Sequence, residues 1–142
     1  MKWPLSVIAS IAVGLFVVSS VPAAEKQTVV VVRGATIVAF FPPTTQAELK
    51  NDPDTNEALA DFQYYATNVQ KPLHDEGIDF KEIYARSFRL EIGTSSTTFR
   101  PGKVKIGYYF VAPSKKPRVE YGVMTDHDLL QIATEYFGLA AR

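Results

Sequence analysis

Two apolar runs do most to limit what this chain can fold into. Residues 28–32 read Thr-Val-Val-Val-Val and residues 36–41 read Thr-Ile-Val-Ala-Phe-Phe, with only Arg33-Gly34-Ala35 between them. A strand with one wet face alternates apolar and polar side chains. Continuous β-branched and aromatic runs instead predict strands buried on both faces. Pro42-Pro43 stops the second run, because proline has no N–H to give to a sheet ladder. A doubly covered strand needs another layer against it, and the next long segment supplies one. Leu59, Phe62, Ala66, Val69 and Leu73 recur at steps of three and four, which lines them along one face of a helix over 53–76. Asp52, or Asp54 with Thr55, suits its start, and Gly77 suits its stop. Pro72 predicts a kink or a local end. Strand, helix, strand is the crossover that parallel pairing requires, so the chain reads as α/β.

The rest of the pattern fits one domain, the ordinary outcome for 142 residues. Residues 44–54 are polar and read as a loop with one helical turn over 46–50. Residues 80–85 form the next expected strand. Over 87–92, Phe88, Leu90 and Ile92 alternate with Ser87, Arg89 and Glu91, the mark of a half-buried strand. Residues 93–98 read as a small polar loop, 104–112 as a strand, 113–117 as a turn and 118–123 as its antiparallel return. A last helix spans 125–137, with Thr125 and Asp128 at capping-box spacing and Gly138 closing it.

The first two dozen residues stand apart. Lys2 precedes an apolar stretch over 5–18, broken only by Ser6, Ser10 and Gly14, and Val21-Pro22-Ala23-Ala24 offers the small residues that a signal peptidase accepts. Residues 1–24 are therefore expected to be a secretory signal peptide cut after Ala23 or Ala24, leaving 25–142 as the exported domain. An uncleaved membrane anchor is the competing reading, since the run approaches the ~17 residues that span a bilayer. The chain contains no cysteine, which rules out a lipid-modified cysteine and any disulfide. Fifteen basic and fifteen acidic side chains cancel, so no overall charge draws it to nucleic acid or to an anionic membrane.

Two stretches resemble the thioredoxin-like superfamily, in particular its exported TlpA-like branch. Arg33-Gly34, followed by Ile37-Val38-Ala39-Phe40-Phe41, is similar to the strand that leads into that family's redox loop. Gly107-Tyr108-Tyr109-Phe110-Val111-Ala112, the Lys115-Lys116 turn and Val119-Glu120-Tyr121-Gly122 resemble its closing hairpin. Val123-Met124-Thr125 then runs into Leu129-Leu130 as in its capped last helix. The resemblance implies a thioredoxin-like three-layer sandwich: a central mixed sheet, a long helix after the first core strand, and a C-terminal hairpin plus helix. It also locates what is missing. The family's paired cysteines would fall near Thr45 and Glu48, and its cis-proline corresponds to Gly107. Thiol–disulfide exchange requires a thiolate, so that activity is excluded. In that architecture the loop after the first core strand meets the loop before the hairpin strand. The implied binding surface is Phe41, Pro42, Pro43, Thr44, Thr45, Glu48, Gly107 and Tyr108, suited to a peptide or a partner protein.

Other chemistry is thinner. His74 beside Asp75-Glu76 reads as a cation at a helix end, and His127 between Asp126 and Asp128 as a solvated helix start. Nothing in their spacing assembles a metal site. Thr94-Ser95-Ser96-Thr97-Thr98 lacks the elbow and the base that a nucleophilic serine needs. Arg86, Arg89, Arg100, Lys103, Lys105, Lys115, Lys116 and Arg118 concentrate basic charge in the second half, a surface that steers an acidic partner if it is continuous. No catalytic residue, cofactor or metal is assigned. The expected role is an exported, periplasmic, non-redox binding or assembly module. A small exported enzyme, an envelope protein held by an uncleaved N-terminal helix, and an unrelated α+β fold that shares the hairpin and last helix by coincidence are the alternatives.

Overall fold

A computed structural model describes residues 27–140; the expected signal peptide lies outside the described residues. The elements run β1 (Thr28–Val32), β2 (Thr36–Phe41), α1 (Gln46–Asn51), α2 (Pro53–Asp75), β3 (Asp79–Tyr84), β4 (Phe88–Ile92), β5 (Ser95–Phe99), β6 (Gly107–Ala112), β7 (Lys115–Tyr121) and α3 (Asp126–Phe137). The strands form two sheets. One is four-stranded and mixed, in the order β3-β2-β6-β7, with β2 parallel to β3 and antiparallel to β6. The other is three-stranded, in the order β1-β4-β5. Among the described residues no helix is long and apolar enough to cross a membrane.

The alternation of side chains along β2 and β6 divides the core in two. Ile37, Ala39 and Phe41, with Tyr108 and Phe110, face the helices and meet Phe62, Val69 and Leu73 of α2 and Leu129, Ala133 and Tyr136 of α3. Val38 and Phe40, with Tyr109 and Val111, face the other way onto Val30 and Val32 of β1 and Phe88 and Leu90 of β4. Every residue of β2 is buried, as its apolar run predicts for a strand in the middle layer. β1 differs from that expectation. Val30 and Val32 point inward, while Val29 and Val31 are 41% and 45% exposed. The reason is position: β1 is at the edge of the outer sheet, and nothing among the described residues covers that sheet's far face.

Other departures have equally local causes. The polar loop expected over 93–98 is a hairpin instead. Gly93-Thr94 turns the chain, and β5 runs back along β4 with Arg89 opposite Thr98 and Phe88 opposite Phe99. Threonine suits a strand, and Phe99 anchors this one by packing its ring at a tilt against Phe40, Phe88 and Tyr109, with ring centroids 5.4, 5.3 and 4.9 Å away. β6 begins at Gly107 rather than at 104, and Val104 is exposed. β7 begins at Lys115 rather than at 118 and carries Pro117 inside it. That proline is tolerated because β7 is an edge strand with a register irregularity between Phe110 and Ala112 on its partner. α2 continues through Pro72 for three more residues, to Asp75. Thr125 caps α3 by accepting from the Asp128 N–H at 3.2 Å, and Gly138 closes it in the left-handed conformation at φ 70°.

Candidate functional site

One end of the mixed sheet gathers the loops that the sequence singles out. Phe41 at the end of β2 is in register with Tyr84 at the end of β3, and Phe40 with Gly107 at the start of β6. The loop that leaves β2 and the loop that enters β6 therefore share this end. Of the eight residues expected to form a binding surface, three are not surface at all. Phe41 and Tyr108 are 0% and 1% exposed. Gly107 is buried, and a Cβ there would lie 2.4 Å from the Glu120 carbonyl oxygen and 3.0 Å from Phe40 Cζ. The strand needs glycine so that β7 can approach. Tyr108 Oη accepts from the Met124 N–H at 3.2 Å, which ties β6 to the segment that starts α3. These three residues are the floor of the site.

Pro42, Pro43, Thr44, Thr45 and Glu48 reach the surface. Thr45 and Glu48 have a local task there. The Thr45 hydroxyl accepts from the Glu48 N–H at 3.1 Å, and the Glu48 carboxylate accepts from the Thr45 N–H at 2.8 Å, a capping box that starts α1. The Thr45 N–H first and the Thr45 hydroxyl second hold the Glu48 carboxyl below its ordinary range, with the Arg86 charge a smaller contributor. Asp52 is likewise engaged, accepting from the Thr55 hydroxyl at 2.6 Å and from its N–H at 3.3 Å to cap α2. Its carboxyl is held low by the hydroxyl first and the N–H second.

The site extends beyond these residues to a corner between the two sheets. Ala85 continues the ladder by donating to the Phe41 carbonyl at 3.0 Å, and the chain then turns through Arg86-Ser87 into β4 of the outer sheet. Thr28 at the start of β1 and Phe99 at the end of β5 are both in register with Phe88, so Thr28 and Arg100 arrive at the level of this corner. A depression of about 460 Å³ opens there, lined by Thr28, Pro43, Tyr84, Arg86, Ser87 and Arg100 among others. Across the divide formed by Pro43 and Arg86 is a second hollow of about 440 Å³, which holds Thr44, Glu48, Asp52 and Thr55. The Tyr84 hydroxyl is fully used: it donates to the Glu82 carboxylate and accepts from Gln63 Nε2 at 3.1 Å. Burial, with the Glu82 bond second, pushes its pKa up to about 12.

The two hollows differ in sign. The first carries two guanidinium groups and no carboxylate in its lining; the carboxylates of the second are committed to helix caps. Arg86 and Arg100 escape a reading by spacing because neither belongs to a motif. The only sequence signal is the excess of basic residues in the second half, and the fold splits that group. Arg86 and Arg100 stand at the loop end, while Lys115 and Lys116 follow the hairpin turn at the opposite end of β6 and β7. The expected single basic surface is therefore not continuous. Neither His74 nor His127 lines either hollow. Among the described residues no three His, Cys, Asp or Glu side chains gather where a metal ion could be held. With hydroxyls, guanidinium groups and proline but no nucleophile–base pair, the arrangement can bind and orient a ligand.

Comparison of the chain with family models, curated proteins and solved structures returned no match.

Proposed function

We propose that this chain is an exported thioredoxin-like domain without redox chemistry, which acts as a binding or assembly module through the loop end of its mixed sheet. The observation that carries the reading is the combination of strand order with composition. A parallel β2–β3 pair joined by a helical crossover, an antiparallel β6–β7 hairpin beside it and a capped final helix suit the thioredoxin-like resemblance. The complete absence of cysteine removes that family's reaction from the same frame. Ligands of open α/β sheets favour the carboxyl ends of parallel strands, where the Pro42–Thr45 loop and the Ala85–Ser87 corner stand here. One departure from the family frame is the second face of the mixed sheet, which a three-stranded sheet covers.

The test uses the two ends of the sheet against each other. A photo-crosslinking residue is placed at Pro43 in one strain and at Ser114, in the opposite hairpin turn, in another. Specific adducts from the periplasmic fraction at Pro43 and none at Ser114 are the expected result. Adducts at Ser114 alone, or at neither position, contradict the reading.

A further inference from the structure

We propose that the depression between the two sheets is a carboxylate-binding subsite for an acidic peptide segment of the partner, with Arg86 and Arg100 as its ligands; this rests on the loop end being the binding face. Two arginines fourteen positions apart are brought to one hollow by independent elements, the β3–β4 corner and the exit of β5. Their state differs from that of the arginines on the sheet faces. Arg89 pairs with Glu91 at 3.0 Å, and Arg118 with Glu120 at 2.8 Å and Glu135 at 3.3 Å. Among the described residues neither Arg86 nor Arg100 has a carboxylate within ion-pair distance. A guanidinium is a planar fork matched to a two-oxygen anion, and two of them over one hollow favour a carboxylate strongly over a neutral group.

The remaining lining argues for an organic ligand rather than a free inorganic ion. Pro43, Ala85 and Tyr84 bring apolar surface to the lining of the hollow, against which the methylene groups of a glutamate or aspartate side chain would pack. Ser87 and Thr28 also line the hollow and carry hydroxyl donors. None of the residues lining the hollow has a positive φ, so the αR-αL nest of backbone N–H groups that often cradles phosphate is not formed by them. The neighbouring hollow repels the same ligand, because Glu48 and Asp52 are held ionised by their capping bonds. An acidic segment is thereby confined to the Arg100 side of the Pro43–Arg86 divide.

The test is a titration of the purified protein with N-acetyl-triglutamate amide, followed by amide resonances. Saturable shifts at Thr28, Ser87 and Arg100, absent with the triglutamine peptide, are the expected result. Arg86→Gln and Arg100→Gln should each weaken binding by at least about threefold, the modest figure that suits exposed guanidinium groups. Because both side chains are exposed and neither forms an ion pair among the described residues, these variants keep the dispersed spectrum of the folded protein. Arg86→Glu with Arg100→Glu should turn the preference toward a trilysine peptide. Shifts centred on Lys103 and Lys105, or unchanged by either Gln variant, overturn the proposal. So does inorganic phosphate that binds the hollow as tightly as the peptide. Crosslinking at Pro43 that persists undiminished in the double Gln variant defeats this subsite while leaving the loop end as the binding face.

Discussion

β1 and β2 are nearly the same kind of sequence, and the fold treats them differently. Both are unbroken apolar runs three residues apart. β2 is buried at all six positions, whereas β1 hides Val30 and Val32 and leaves Val29 and Val31 in water. The difference arises from neighbours in space. β2 is the middle of three layers, flanked by β3 and β6 within its sheet, with helices on one face and the outer sheet on the other. β1 has one partner strand, β4, and one covered face. An apolar run thus reports that a segment belongs to a sheet; the number of covered faces is decided by residues far away.

The most forceful way to break this contrast is in the middle layer. Phe40→Ala removes a fully buried ring that touches Phe88, Phe99 and Tyr121. It should lower unfolding free energy by about 3–5 kcal/mol in denaturant titration. Gly107→Ala comes next: its Cβ meets backbone at Glu120, so β7 must shift, at a cost of about 1–3 kcal/mol. Tyr108→Phe loses the hydrogen bond from the Met124 N–H and should cost about 1 kcal/mol. At the other pole, Val31→Thr on the outer face of β1 should change stability by less than about 0.5 kcal/mol. A Val31 effect as large as that of Phe40 would mean that the outer face of β1 is covered after all.

The same contrast has a counterpart in alkali. Burial raises the pKa of Tyr84, Tyr108, Tyr109 and Tyr136, with Tyr84 at about 12. A raised tyrosine favours the folded state while the hydroxyl is protonated. That stabilisation is complete below the ordinary value of about 10 and is lost as pH climbs through the folded value. Tyrosinate absorbance should therefore develop in two stages in the folded protein and in one stage in denaturant. A single stage near pH 10 in both contradicts the burial of these rings.

Much of the frame was legible from spacing. The stripe from Leu59 to Leu73, the proline pair after Phe41 and the Thr125 cap each act within a few residues, and the bounds of the two longer helices and the end of β2 followed. The β4–β5 hairpin was not legible, because Ser95–Phe99 carries a single apolar anchor and owes its place to aromatic partners on β2, β4 and β6. The site was half legible. Pro43 and Thr44 reach the surface, whereas Phe41, Gly107 and Tyr108 have sunk into the core. Arg86 and Arg100 converge only because Thr28, Phe88 and Phe99 share one register, a long-range fact without a sequence signature.

The central claim is that the buried sheet supplies stability while the Arg86–Arg100 hollow at its loop end is proposed to supply recognition, and one paired measurement tests it. Thermal unfolding and photo-crosslink yield from Pro43 are recorded for the native chain and for the Arg86→Gln, Arg100→Gln double variant. The account predicts an unfolding temperature within a few degrees of the native one, since neither arginine is buried or forms an ion pair among the described residues. It also predicts a clear fall in adduct yield. Full adduct yield in a stable variant, or a loss of adduct that only follows a collapse in stability, would contradict it.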